Sequence, residues 1–324
     1  MKRLGQGLAL LGLLVAAPSW GLCNMVDTSP VSFGTVNSTL VRSTVQSASS
    51  LNAGLQCTGS LLSLLSANDH FYATISSATG SNGLVGPSGD VIPYTLYANN
   101  STSFPITRGV AFDFARNGIL DLLGLLNGTT PKTVPIYLRT SIGANVAAGV
   151  YQETLNVGWV WNYCSGIGIG SICVGRDQGF GSRTLLVTLT VTNDCQITTP
   201  NIVFNSAPVV SGFGTVSQSI NISCTKGSNY TVGLDDGQNV AAGRRRMKSA
   251  ANNYLAYDIF KSAGAVRWGS LSSARRASSD ANVNPGPGTG TGSQVFNYNA
   301  KVYTDQATPP AATYTDSVIL DVQF

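Results

Sequence analysis

The chain has 324 residues, of which 43% are hydrophobic and only 10% charged, with a formal net charge of +4. Those values exclude a disordered polyelectrolyte and give no global reason to expect nucleic acid as a partner. The 36 glycines, with Ser, Thr and Asn crowded between short apolar runs, favour short strands and polar turns over helices, in a chain long enough for two domains.

Residues 1–21 read as a secretory signal peptide. Lys2 and Arg3 supply the positive start, Leu8 to Ala17 the apolar run, and Ser19 and Gly21 the small residues of a cleavage site. The run is about ten residues, too short to span a bilayer. Cys23 follows closely enough to raise a lipoprotein alternative, but Leu22 stands where a lipobox needs a small residue. The mature chain is expected to be exported and soluble. In that compartment Cys23, Cys57, Cys164, Cys173, Cys195 and Cys224 are expected to form disulfides, since there is no CxxC pair and a single histidine. No metal or other cofactor is expected.

In chain order, a first copy of a repeat opens with Cys23, Ser29-Pro30-Val31-Ser32-Phe33-Gly34 and Leu55-Gln56-Cys57-Thr58-Gly59. The apolar stretch Leu61-Leu62-Ser63-Leu64-Leu65 follows, then a strand at Tyr94-Thr95-Leu96-Tyr97-Ala98. A second apolar stretch contains Ile119, Leu120, Leu122, Leu123, Leu125 and Leu126 between turn residues. Ala148-Gly149-Val150-Tyr151-Gln152-Glu153-Thr154-Leu155 leads into an alternating strand through Val157, Trp159 and Trp161. Cys164 and Cys173 bracket a glycine-rich stretch, not strand-like, with Ile167, Ile169, Ile172 and Val174. Leu185, Val187, Leu189 and Val191 then alternate with Leu186, Thr188, Thr190 and Thr192, a strong strand signal.

The second copy is collinear: Cys195, Thr199-Pro200-Asn201-Ile202-Val203-Phe204, then Ile222-Ser223-Cys224-Thr225-Lys226-Gly227. Its tyrosine strand is Leu255-Ala256-Tyr257-Asp258-Ile259-Phe260, and its closing segment Ala311-Ala312-Thr313-Tyr314-Thr315-Asp316-Ser317-Val318. The repeat supports Cys23–Cys57 and Cys195–Cys224, leaving Cys164–Cys173 as a local staple, and divides the mature chain at residues 22–193 and 194–324. Superposing Tyr151 on Tyr314 sets Leu155, Val157, Trp159 and Trp161 against Val318, Leu320, Val322 and Phe324. The first copy continues into the 185–192 strand, and the second copy stops. The expectation is that domain one completes itself while domain two, lacking its final strand, exposes an apolar groove that another chain fills. Because the mature chain starts almost at Cys23, it is also expected to donate no strand to a neighbour.

Two modules of Cys, Phe-Gly and Cys-Thr, each closing on Tyr-x-Asp/Glu and an alternating strand, resemble the spore coat protein U domain. Thr313 to Val318 is the most specific part of the likeness. The resemblance implies two immunoglobulin-like β-sandwiches in a subunit of archaic chaperone–usher pili of the Csu type. It also implies a periplasmic chaperone that anchors the carboxylate of Phe324, an outer-membrane usher, and a neighbouring pilin that completes the groove by donor-strand exchange. Two modules in one chain resemble the tip adhesin of such a fimbrium.

The apolar stretches at 61–65, 119–126 and 167–174 lack counterparts in the second copy, where Lys226-Gly227-Ser228, Ala274-Arg275-Arg276-Ala277-Ser278 and the 285–292 tract are polar. The first two are either short amphipathic helices packed on the sandwich or exposed fingers, whereas the glycine-rich third, looped by its disulfide, reads as a finger. The asymmetry favours fingers that bind abiotic or host hydrophobic surfaces and support biofilm formation, as the resemblance implies. Three other signals carry less. His70 has no nucleophile motif beside it and reads as structural or surface. Gly286-Pro287-Gly288-Thr289-Gly290-Thr291-Gly292 lacks a phosphate-loop ending and reads as a flexible turn. Arg244-Arg245-Arg246-Met247-Lys248 and Arg275-Arg276 read as solvated charge, with contact to polyanions or the usher as the alternative. Asp69, Asp90, Asp113 and Asp121 are too scattered for a hydrolase pair, so no enzyme is expected. The rival readings are a minor structural subunit within the fibre and a secreted carbohydrate-binding β-sandwich.

Overall fold

Period-two alternation broken every few residues by Gly, Ser and Asn leaves little room for helix. In the computed structural model, which describes residues 22–58, 69–116, 130–169 and 172–324, the α-helix among them is α1 (Ser38–Ser43), capped by the Asn37 side chain accepting from the Leu40 N–H. The first half contains β1 (Cys23–Met25), β2 (Val31–Asn37), β3 (Ser47–Ser50), β4 (Leu55–Cys57), β5 (His70–Ser77), β6 (Gly83–Val85) and β7 (Val91–Tyr97). It continues with β8 (Pro105–Ile106), β9 (Phe112–Asp113), β10 (Lys132–Thr133), β11 (Ile136–Thr140), β12 (Gly149–Ile169) and β13 (Ile172–Thr192). The second half contains β14 (Cys195–Thr198), β15 (Val216–Cys224), β16 (Thr231–Leu234), β17 (Arg245–Lys248), β18 (Tyr254–Lys261), β19 (Arg276–Ala277), β20 (Gln294–Val302) and β21 (Leu320–Gln323).

These strands build two immunoglobulin-like sandwiches. In the first, the main sheet runs β2-β13-β12-β6-β7-β11-β3, with β5 also paired to β12, and β1-β4-β10 form a small second sheet. In the second, β14-β15-β20-β18-β17 face β19-β16-β21. Each encloses its own core around a buried tryptophan whose indole N–H finds a backbone carbonyl: Trp159 to Ala53 and Trp268 to Val232, both at 2.9 Å. The disulfides are Cys23–Cys57, Cys164–Cys173 and Cys195–Cys224, the pairs favoured by the repeat. In a chain-entropy account, each of the two longer staples contributes about 3–4 kcal/mol.

Three sequence readings need correction. The stretch read as not strand-like belongs to a hairpin whose backbone stays paired to its tip, Ile167 opposite Val174 and Ile169 opposite Ile172. Glycine has weak strand propensity, but cross-strand pairing overrides it here. The arginine clusters are only partly solvated, since Arg244, Arg246 and Lys248 stay half-exposed while three arginines turn inward. Arg245 is fully buried, Arg276 is buried against Trp268 and Phe296, and Arg275 is buried against Asp321. The glycine tract is tied down, because the Gly288 carbonyl accepts from the Gly227 N–H, the Gly288 N–H donates to the Ser228 carbonyl, and the Gly290 N–H donates to the Cys224 carbonyl.

Candidate functional site

The closing strand of the first sandwich provides the reference for what the second lacks. Leu185, Val187, Leu189 and Val191 of β13 point inward and are at most 2% exposed. That strand pairs antiparallel with β12 on one side and parallel with β2, Val187 opposite Val31 through Thr192 opposite Asn37, on the other.

The second sandwich has the two flanks without the strand between them. The counterpart of β2 is the segment after β14, where residues 199–209 form no regular strand and Val203 is 67% exposed. The counterpart of β12 is the closing segment, which becomes regular only at β21 and pairs there with β16 along one edge. Between the flanks lie two adjoining cavities of about 410 and 570 Å³ that share Ile202, Phe204, Met247, Tyr314 and Thr315. Ile220, Tyr257, Ile259 and Leu320 line the first, and Val210, Phe213 and Leu255 the second. Ile202, Phe204, Phe213, Met247, Tyr314, Val318 and Leu320 pack on the core from one side only, remaining half-buried.

The rim is held in place by hydrogen bonds within the domain. Lys248 and Thr315 exchange backbone bonds at 2.8 and 3.1 Å. The Asp235 N–H donates to the Ile319 carbonyl at 2.9 Å, and the Ile319 N–H to the Asp235 carboxylate at 2.8 Å. The Tyr257 hydroxyl donates to Asp316 at 2.9 Å, and burial, reinforced by that carboxylate, pushes its pKa well above the usual phenol value. An apolar trough with a pre-positioned, incompletely paired edge has the chemistry to accept an extended segment by strand addition.

The predicted site residues divide sharply. Leu61, Leu62, Leu64 and Leu65, and Ile119, Leu120, Leu122, Leu123, Leu125 and Leu126, lie outside the described residues. Ile167, Ile169, Ile172 and Val174 are described only as backbone of the β12–β13 tip. Phe324 is 55% exposed at the end of β21, its ring centroid 6.4 Å from that of Tyr230. Sequence reasoning located the missing strand but not its bed. Phe204 and Ile202 were readable as counterparts of Phe33 and Val31, whereas Met247 and Tyr257 come from distant strands with no local signal. Of the acidic residues weighed for hydrolysis, Asp69 pairs with Arg176 at 2.8 Å and Asp90 with Lys226 at 2.5 Å. Asp113 pairs with Arg116 at 3.2 Å, and Asp121 lies outside the described residues.

The model of the Spore Coat Protein U domain matches residues 10–158 and 182–321. No curated protein matches. Among solved structures, the chaperone–tip adhesion subunit pre-assembly complex CsuC–CsuE, from archaic chaperone–usher Csu pili of Acinetobacter baumannii, is similar at 25% identity and TM-score 0.60, covering 93% of this chain and 100% of that one. The CupB6 tip adhesin from Pseudomonas aeruginosa is similar at 11% identity and TM-score 0.30, covering 93% of each chain. The adhesive subunit CfaE of CFA/I fimbria from enterotoxigenic Escherichia coli is similar at 9% identity and TM-score 0.27, covering 92% of this chain and 93% of that one.

Proposed function

The chain belongs to the Spore Coat Protein U domain family, and on that premise we propose that it is the tip adhesin of a chaperone–usher pilus. It is an exported, fimbrial protein without enzymatic activity. Residues 1–21 direct export, residues 22–193 form the adhesive domain, and residues 194–324 form the pilin domain. The observation that carries the reading is the contrast between the two sandwiches: β13 fills the first, while the equivalent trough of the second is open beneath Ile202, Phe204, Met247 and Tyr314. A chain built this way is completed by one neighbour, through its second domain. The likeness to a chaperone-bound tip subunit over nearly the whole chain supports the same assignment.

In this reading a periplasmic chaperone fills the groove first and anchors the carboxylate of Phe324. An outer-membrane usher then exchanges the chaperone for the donor strand of the next pilin. The stretches at 61–65, 119–126 and 167–174 form the adhesive tip, attaching to abiotic or host hydrophobic surfaces and promoting biofilm. Each leucine buried on contact stabilises attachment by about 1.5–3 kcal/mol, so several together hold a fibre without a ligand pocket.

Expression in the periplasm with and without the cognate chaperone tests the assignment. The chain is expected to be recovered only as a chaperone complex, and recovery of a stable monomer would sink the reading. Replacing Leu122, Leu123, Leu125 and Leu126 with Ser should abolish attachment to polystyrene while leaving piliation intact. Loss of pili instead would place those leucines in the core.

A further inference from the structure

Three neighbouring strands of the first sandwich carry an apolar row on their outward face. Phe180 of β13 stands opposite Val160 of β12, and Val160 opposite Tyr72 of β5. Phe180 is 83% exposed, the most of any large hydrophobic side chain among the described residues, and Val160 is 47% exposed. The core does not spill outward here, because Trp159, Trp161, Phe71 and Ala73 on the same strands point inward and are buried. At the usual strand spacing the row is about 10 Å long, the length of two sugar rings.

The row is flanked by hydrogen-bonding groups. On one side stand His70, Asn162 and Gln178, on the other Thr74, Gly158 and Ser182, all in register with the row. At Gly158 an added Cβ would meet only the Thr74 carbonyl, at 3.7 Å, so the floor there is open. The polar groups are pre-set. Asp69, its side chain 1% exposed, binds Arg176 at 2.8 Å, and the Arg176 Nε donates to Asn162 Oδ1 at 2.8 Å. That contact fixes the Asn162 amide and leaves its N–H groups as the donors the face presents. His70 stacks on Tyr72 with ring centroids 4.6 Å apart, which rigidifies the aromatic end.

Charge narrows the ligand class. Among the described residues, the ionic groups bordering the row are Arg176, compensated by Asp69, and Asp113, which accepts the Phe71 and Ala115 N–H groups and pairs with Arg116. Neither an anionic nor a cationic ligand would find an uncompensated partner. An apolar strip between rows of amides and hydroxyls matches a molecule with apolar faces and a hydroxyl-rich edge. We propose that this outward face of β13, β12 and β5 binds an uncharged polysaccharide, with sugar rings lying along Phe180, Val160 and Tyr72 and hydroxyl groups meeting Asn162 and Gln178. The proposal does not depend on the pilus assignment.

Affinity electrophoresis of the full mature chain, carried with any chaperone that co-purifies, tests this in gels containing dextran, mannan, soluble starch or hydroxyethylcellulose, with alginate as the anionic comparison. At least one neutral polymer should retard the protein, and Phe180→Ala and Asn162→Ala should each raise the apparent dissociation constant about tenfold. Phe180→Trp should keep retardation, and Leu271→Ala, at a site 77% exposed on the second sandwich, should change nothing. Unchanged thermal unfolding of Phe180→Ala would separate lost binding from lost fold. Retardation by alginate alone, by no polymer, or equally for Phe180→Ala would overturn the proposal. So would loss of attachment to polystyrene by Phe180→Ala without any polymer binding, because the row would then belong to the hydrophobic contact.

Discussion

Two residues of each repeat explain its closing signature. Tyr151 and Tyr314 donate their hydroxyls to the carbonyls four positions upstream, Ala147 at 2.8 Å and Pro310 at 2.7 Å, a tyrosine corner in each sandwich. Two positions later the acid faces the tyrosine strand. Glu153 accepts from the Tyr94 hydroxyl at 2.5 Å and from Arg108 at 2.7 and 3.0 Å, as Asp316 accepts from Tyr257. Tyr94→Phe should destabilise the first domain by about 1.5–3 kcal/mol, since a buried charge-assisted bond is lost, and Tyr257→Phe by less, since Asp316 is half-exposed. Chemical denaturation measures both. Burial first, and the facing carboxylate second, push the pKa values of Tyr94 and Tyr257 far above the ordinary 10.0. Above pH 10 the unfolded chain releases phenol protons that the folded chain keeps, so this stability is complete below pH 10 and declines as pH rises past it. The denaturation midpoint should fall above that pH, and less steeply in Tyr94→Phe.

At the scale of the element, the end of β13 specifies what its absent counterpart must look like. An occupant of the second groove needs four inward apolar side chains at alternate positions, running antiparallel to the closing segment and parallel to residues 201–209. A peptide copying residues 184–192 has that pattern and should raise the melting temperature of the second domain. At one hundred times its dissociation constant the stabilisation is about 2.7 kcal/mol. A shuffled peptide that breaks the alternation should do nothing, and equal effects from both would show that the trough does not read a strand. The alternation at 185–191 and the signature at 313–318 were legible because period and spacing are local properties. The bed of the groove was not, because Phe204, Met247, Tyr257 and Tyr314 converge from four separate segments. Arg245 was misread for a related reason. Its guanidinium serves the Leu234, Asp235 and Trp268 carbonyls and the Asp258 carboxylate, and three adjacent arginines do not reveal which backbone carbonyls need a donor.

Among the described residues of the whole molecule, the two sandwiches meet through a set of polar contacts, and the glycine tract takes part in them. Arg42 of α1 donates to the Gly290 carbonyl, Asn145 to the Thr289 carbonyl at 3.0 Å, and the Ser38 and Thr225 hydroxyls lie 2.7 Å apart. Ala147 forms a parallel bridge with Lys226, whose ammonium reaches Asp90 at 2.5 Å. Burial alone would raise the pKa of Asp90, but the Lys226 contact and the Ala147 N–H outweigh it and hold it below the usual 3.8. The link is therefore intact at neutral pH and weakens as pH falls below that range. Since Lys226 is 44% exposed, removing it should cost under about 1 kcal/mol of stability. Its consequence is geometric. If the first domain is the adhesive one, as proposed, a pull on it reaches the second through this junction, and these contacts are expected to set the angle at which it does so. Spin labels at Leu51→Cys and Leu271→Cys, exposed sites on opposite sandwiches, should report one narrow distance distribution in the parent protein. Lys226→Ala combined with Asn145→Ala should broaden it without shifting the melting temperature by more than a few degrees. An unchanged distribution would mean that the linker at residues 193–194, and not these contacts, fixes the angle between the domains.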